Sequence, residues 1–313
     1  MTLITTNAAL QAFCKSVENA PFITVDTEFL RDRTYYAKLC LIQVSGPDKQ
    51  AVAIDPLSTE EELDLSPLFA LFENANILKV FHAARQDLEI LWQLTGKMVH
   101  PLFDTQVAAM VCGYGEQIGY EALVSDITKE KTDKSSQFTD WARRPLSQKQ
   151  MIYALNDVIY LVDIYHHLAR RLEKDGRSEW VKEEMEILTS PSTYELDPLD
   201  AWKRLKLRSA KPRDLAVLKE LSAWREVEAQ RKDVPRSRIL RDETLMDLGF
   251  QRPQSDGELT RIRGISQDMA QARIGKTLID IIARGMAIPE EDAPKLEHRT
   301  PMSPRLAQIV EML

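Results

Sequence analysis

Asp26 and Glu28 stand one residue apart in FITVDTEF (22–29), a stretch otherwise composed as a buried strand. Strand side chains alternate between faces, so Thr24, Asp26 and Glu28 share one face while Ile23, Val25, Thr27 and Phe29 share the other. Two carboxylates roughly 6 Å apart repel by about 2 to 3 kcal/mol at an effective dielectric of about 20, and desolvation adds to that cost. Two arrangements relieve it. The acids lie on a sheet face open to water, as is common in antiparallel sheets, or a divalent cation sits between them, held by hard oxygen ligands.

Two further acids and a tyrosine extend the pattern. Asp87 falls in FHAARQD (81–87), on the first turn of a helix leaving a strand end, and Asp157 falls in YALND (153–157). Residues i and i+4 stack on a helix, which brings Asp157 beside Tyr153. Each acid also has a purely structural reading: negative charge is favoured at a helix N-terminus, where Asp87 lies, and Asp157 fits a solvated helix position.

The elements that must position these groups can be read in outline. FITVDTEF, LCLIQVS (39–45) and AVAIDP (51–56) are β-rich runs separated by polar or Gly/Pro punctuation, and ILKVFHA (77–83) reads as a fourth strand. Ser66 followed by Pro67 starts a helix with Leu68, Leu71 and Phe72 as its apolar stripe. ARQDLEILWQLTG (84–96) is a second, with Leu88, Leu91 and Trp92 on one face. Helices at 104–112 and 119–126 follow, and KEKTDKSSQFTDWARRPL (129–146) reads as a polar loop. At Ser147 the run SQKQ forms a capping box with Gln150, and Leu146 can staple against Met151. The long helix that follows, to about residue 173, buries Met151, Ile152, Leu155, Val158, Ile159 and Val162 on one broad side, leaving Tyr153 and Asp157 near its edge. A sheet followed by helices predicts a mixed α/β layered domain.

TSPSTYELDPLDAW (189–202) has linker chemistry. Beyond it the pattern is helical, over 213–232, 242–248 and 266–286, a small all-α unit. AIPEEDAPKLEHRTPM (287–302) is too rich in proline and charge to pack, and SPRLAQIVEML (303–313) carries one apolar stripe where a further helical unit would begin. The expected division is 1–190, a linker at 191–210, a helical domain at 211–287 and a tail at 288–313.

The whole chain of 313 residues, 44% hydrophobic and 28% charged, has the composition of a soluble globular protein of two domains. No run is long and apolar enough for a membrane span, and the first residues lack a signal-peptide pattern, which predicts a cytoplasmic protein with no membrane partner. The three cysteines, Cys14, Cys40 and Cys112, lack metal-ligand spacing and read as reduced core residues. The five histidines form no zinc motif. A net charge of −7 argues against broad nonspecific nucleic-acid binding, yet leaves room for a local basic groove such as WKRLKLRSAKPR (202–213), which fits either RNA steering or a solvated helix end. GKT at 275–277 lacks the glycine and the preceding strand that a phosphate-binding loop requires, so no ATP binding is expected.

DTE on a first strand, HxxxxD after a later one and YxxxD on a final helix resemble the three motifs of the DEDDy 3′-5′ exonucleases. With VDTEFLRDRTYYAKLCLIQVS, AIDPL, FHAARQDLEIL, FDTQ, DKSSQFTDWARRPL and YALNDV as flanks, residues 1–190 resemble the ribonuclease D family. Residues 211–286, through their helix pattern and GKTLIDII, resemble the helical domain shared by RecQ-type helicases and ribonuclease D.

The resemblance implies a ribonuclease-H-like mixed five-stranded sheet flanked by helices, followed by the small helical domain. It implies that Asp26, Glu28 and Asp157 hold one divalent ion, Mg or Mn, and that Asp26, with Asp87 mostly through water, holds a second. Tyr153, whose phenol ordinarily titrates at about 10, is neutral at neutral pH and suits a water-orienting hydrogen bonder. The implied activity is trimming of RNA 3′ ends, tRNA precursors and small stable RNAs among them, with release of nucleoside 5′-monophosphates and no obligate protein partner. Phe29 and His82 are candidate contacts to the terminal nucleotide, each with a structural alternative: core packing for Phe29, a hydrogen-bonded support for His82. A 3′-5′ DNA exonuclease and a non-catalytic RNA-binding scaffold are the competing readings.

Overall fold

The computed structural model describes residues 2–296, and these fall into two compact units that divide between Glu195 and Leu196. The first unit contains strands β1 (Thr2–Ile4), β2 (Phe22–Leu30), β3 (Lys38–Ser45), β4 (Ala51–Ile54), β5 (Leu78–Phe81) and β6 (Leu102–Asp104). Its helices are α1 (Asn7–Val17), α2 (Ser66–Glu73), α3 (Arg85–Thr95), α4 (Thr105–Val111), α5 (Tyr120–Thr128), α6 (Gln148–Lys174) and α7 (Ser178–Leu188). The strands form one sheet in the order β1-β4-β3-β2-β5-β6. β2, β3 and β4 are the antiparallel meander, β5 and β6 add in parallel beside β2, and β1 adds in parallel beside β4.

The sheet therefore has six strands, not the five expected. The two edge strands, β1 and β6, are three residues each, too short for alternation to mark them. Helices α1 and α7 were also not legible as elements.

Alternation on the central strands sets the layers. Ile23 and Val25 of β2, Ile42 and Val44 of β3, and Val52 and Ile54 of β4 pack with Leu10, Leu68, Leu88 and Leu91 from α1, α2 and α3. The opposite face is covered by α6, whose Met151, Ala154 and Leu155 meet Leu41 and Ala53, while its Leu161 and Val162 meet Phe22 and Val80. Ser147 caps α6 through the expected box: its hydroxyl accepts from the Gln150 amide at 3.2 Å and the Gln150 side chain accepts from the Ser147 amide at 3.0 Å. Ile152, expected in the buried stripe, is 43% exposed, because the sheet takes only one side of the helix there.

The second unit holds α8 (Pro212–Lys232), α9 (Arg236–Ile239), α10 (Asp242–Gln251), α11 (Asp256–Leu259), α12 (Gln267–Gln271) and α13 (Arg273–Ala287) around one apolar core. The stretch read as a continuous helix over 266–286 breaks at Ala272. Gly275 explains the break: a Cβ there would lie 1.8 Å from the Ala270 carbonyl oxygen, so only glycine lets the chain turn this tightly. This is the glycine of GKT, and its role is close backbone packing. Gly285 similarly lets α13 approach the backbone of Val217 on α8. Within the stretch read as a linker, Ala201, Trp202 and Leu205 are buried, and Leu205 belongs to the second unit's core. The apolar stripe at 303–313 lies outside the described residues.

Candidate active site

Asp26 and Glu28 project from β2 on the face that α6 covers, and α6 brings Asp157 to them. One oxygen from each of the three carboxylates lies within 4.8 Å of the others. A Mg²⁺ or Mn²⁺ ion with oxygen bonds of about 2.1 Å spans about 3 to 4.2 Å between its ligands, so small carboxylate adjustments make this a fitting donor set. Asp87 is not part of this tight group. It is buried on the first turn of α3, where its Oδ1 accepts a hydrogen bond from the Thr27 hydroxyl. That arrangement suits an acid acting at longer reach than the other three.

The electrostatics carry the same message. Burial, then the charges of Asp157, Asp87 and Glu28, drive the Asp26 carboxyl well above the ordinary carboxylate range. Burial and the same acidic neighbours raise Glu28 to about 9. Burial raises Asp87 to about 7, opposed by its bond from Thr27, and raises Asp157 to about 7, opposed by a hydrogen bond from Tyr153. Four desolvated carboxylates pressing on one another call for a cation.

Tyr153 lies one turn before Asp157 and is bonded to its carboxylate through the phenol. Burial, followed by the negative charges of Asp157, Glu28 and Asp26, moves its pKa upward, so it is a neutral donor at every physiological pH. The residues that hold this geometry were not singled out from sequence. Tyr120, at the start of α5, donates to the backbone carbonyls of Asn156 and Asp157 at 3.0 and 2.7 Å, which ties α6 down at the acid. Asp104 caps α4 and also accepts from the amides of Ala83 and Ala84 at 3.0 and 2.8 Å. Ala83 has φ +56°, a left-handed conformation costly for a residue with a Cβ, and the Asp104 bonds hold the chain in it. This turn presents His82 and launches α3 with Asp87.

His82 is half-buried, with Nδ1 3.0 Å from the Thr105 hydroxyl, and desolvation lowers its pKa from the ordinary histidine value. Its ring also lines the cavity of about 420 Å³ that contains the five motif residues. Phe29 lines this cavity too, although alternation placed it on the opposite face. It does so while keeping that face: Phe29 packs against the cluster of Ile23 and Val25, and Thr27 of the same face also lines the cavity. Beside it, Glu28 pairs with Leu41 but Phe29 with Leu39, which leaves Cys40 as a bulge in β3.

The loop at 129–146 is anchored rather than merely polar. Trp141 is buried, and Arg144 makes paired bonds of 2.6 and 2.7 Å to the carboxylate of buried Asp55 and a third, at 2.7 Å, to the Cys40 carbonyl. Anchored so, the loop carries Gln137 and Phe138 to the cavity mouth, where Phe138 is 93% exposed. A second cavity of about 670 Å³ shares Phe29, Gln137 and Phe138 with the first and adds Arg33 and Lys38. A phenylalanine in a polar loop was the only trace of this in the sequence.

Residues 1–173 match the family model for the 3′-5′ exonuclease domain, and residues 214–282 match that for the HRDC domain. Ribonuclease D of Jannaschia sp. (strain CCS1) is 49% identical over 316 residues, covering 99% of this chain and 81% of that protein. The crystal structure of Escherichia coli RNase D superposes with a TM-score of 0.83 at 33% identity, covering 99% of this chain and 82% of that one. Brucella melitensis NrnC with bound Mg²⁺ superposes with a TM-score of 0.52 at 28% identity over 67% of this chain and all of that one (100%). The exonuclease family is divalent-metal dependent, in keeping with the acidic cluster. A strand and a helix that bring three carboxylates together, an exonuclease domain followed by an HRDC domain, and relatives that cover nearly the whole of this chain place it in the ribonuclease D family of 3′-5′ exoribonucleases.

Proposed function

We propose that this exoribonuclease trims the 3′ ends of tRNA precursors and other small stable RNAs in the cytoplasm, with Asp26, Glu28, Asp87 and Asp157 holding two divalent ions. The observation that carries the reading is the convergence of Asp26, Glu28 and Asp157 within 4.8 Å in a desolvated cavity. The buried free thiols of Cys14, Cys40 and Cys112 suit a reducing compartment. Mg²⁺ or Mn²⁺ bound here supplies Lewis acidity and a hydroxide-like nucleophile at neutral pH.

The chain's own groups do the rest. Asp26 feels the charges of all three other acids, so its carboxylate would serve both ions, with Glu28 and Asp157 completing the ligands of one and Asp87 supporting the other. The Tyr153 phenol, too weak an acid to ionise, gives its one O–H to Asp157 and accepts a hydrogen bond from the attacking water, orienting it against the terminal phosphodiester. Cleavage there breaks the P–O3′ bond and releases a nucleoside 5′-monophosphate. His82 and Phe29, on the cavity walls, contact the terminal nucleotide.

End-labelled RNA incubated with and without chelator, its products resolved by length, tests this reading. Tyr153→Phe is expected to lower kcat by about 10- to 100-fold while leaving metal affinity within about twofold, since the phenol orients rather than ligates. Equal losses in turnover and metal affinity would contradict the water-orienting role.

The second cavity continues the strand path away from the 3′ end. A ring as exposed as that of Phe138 gains nothing for folding and much from stacking on a base, about 1 to 3 kcal/mol in single-strand binders. Phe138→Ala is expected to raise KM for long RNA about 10-fold or more, leaving dinucleotide turnover and thermal stability unchanged. A KM shift as large for the dinucleotide as for long RNA would place Phe138 at the terminal nucleotide instead.

A further inference from the structure

Gln43 lies in the middle of β3, directly opposite Asp26 in the antiparallel register. Opposed residues on such a pair point to the same face with Cβ atoms about 5 Å apart, so the Gln43 amide and the Asp26 carboxylate are immediate neighbours beneath α6. Gln43 is fully buried, and neither its Oε1 nor its Nε2 has a hydrogen-bond partner among the described residues.

The surroundings make that amide conspicuous. On its other side Gln43 pairs with Ala53 of β4, and along β3 its same-face neighbour toward Phe29 is Leu41, both members of the apolar cluster with Ala154 and Leu155. Ser45, two residues the other way, donates to the Gly46 carbonyl, and Thr24 donates to the Val158 carbonyl. Those hydroxyls are thus already committed as donors elsewhere. An apolar side chain would fill this position without leaving a buried donor and acceptor unpaired. A charged acceptor, the Asp26 carboxylate, lies directly across the strand pair from the amide.

We infer that Gln43 is a positioning residue for Asp26: its Nε2–H donates to one carboxylate oxygen of Asp26 in the cation-loaded protein and aims the remaining lone pairs at the ions. This rests on the reading of Asp26 as a metal ligand. Asp26 is the acid asked to serve both ions, so its orientation controls both at once. A group that bonds a ligand from behind restricts its rotamer, and a donor also favours the ionised carboxylate that a cation requires; loss of such groups weakens metal binding typically 10- to 100-fold.

The test measures Mn²⁺ affinity on the full chain, from the loss of the free-ion paramagnetic resonance signal, beside thermal unfolding in chelator. Gln43→Met keeps the side-chain length and removes both polar atoms. It is expected to unfold in chelator at the wild-type temperature or above, yet to bind Mn²⁺ about 10-fold or more weakly. Gln43→Leu carries the same expectation and stands in should the methionine variant fail to fold. Unchanged Mn²⁺ affinity overturns the inference, as does weaker binding accompanied by an equivalent fall in unfolding temperature, which would mark a packing role. Asp26→Asn separates the two levels. If it binds Mn²⁺ as wild type does, the ligand reading itself fails; if it loses Mn²⁺ while Gln43→Met does not, only the role of Gln43 falls.

Discussion

Asp157→Ala is expected to lower release of nucleotides from an RNA 3′ end by about 10³-fold or more, because it removes one of the three converging carboxylates proposed to hold the cation. A metal ion contributes several kcal/mol of charge stabilisation at a phosphoryl transition state, and each 1.36 kcal/mol is about tenfold in rate. The same substitution should leave the metal-free protein at least as stable as wild type. The Asp157 carboxyl is held up at about 7 by burial, and its neighbours Asp26 and Glu28 are raised in part by its charge. Removing it relieves the cluster. Purified variant and wild type compared on end-labelled RNA in Mg²⁺, with unfolding followed in chelator, give both numbers. Digestion at the wild-type rate would end the catalytic assignment. A variant destabilised in chelator would mean that the hydrogen bond from Tyr153 outweighs the repulsion relieved.

The metal-free protein is expected to lose thermal stability as pH rises from about 4 to about 9, and divalent cation to restore it. The sign follows from proton counting. Unfolded carboxylates titrate at about 4, whereas Asp87 and Asp157 in the fold titrate at about 7 and Glu28 at about 9. Throughout that window the folded state holds more protons than the unfolded one, so stability falls with pH and the loss is complete above the folded values. For such a coupled cluster the cost is on the order of a few kcal/mol, or roughly 5 to 10 °C in Tm. Cation binding displaces those protons, so the rise in Tm on adding Mg²⁺ should be larger at about pH 8 than at about pH 5. Thermal scans with chelator and with Mg²⁺ at both pH values measure it. A Mg²⁺ effect as large at the acid pH as at the alkaline one would contradict proton displacement from this site.

Much of the site was legible because its spacing is local. DTE on a strand puts Asp26 and Glu28 on one face whatever the fold, and YxxxD on a helix puts Tyr153 beside Asp157 whatever the helix packs against. The capping box at Ser147 located the start of α6 for the same reason, since its partners are three residues apart. Phe29 shows where local reasoning ends. Alternation gives its face, since it packs with Ile23 and Val25, but not its place on the cavity wall, which depends on residues brought in from other segments. The edge strands β1 and β6 exist only through their pairing with β4 and β5, so three residues of sequence carried no signal for them.

The order of the acids and the helix that carries the last two motif residues were determined by the sequence alone, because each rests on residue type and short-range periodicity; membership of a metal-dependent nuclease family was legible there through the resemblance of its motifs. Only the tertiary structure decided which acids converge tightly, that Asp87 is held back by Thr27, that Phe138 stands free at the cavity mouth and that Gln43 lies buried behind Asp26. Those facts are distances between segments far apart in the chain. They are set by sheet register and by the packing of α6 on the sheet, and no spacing within one segment encodes either.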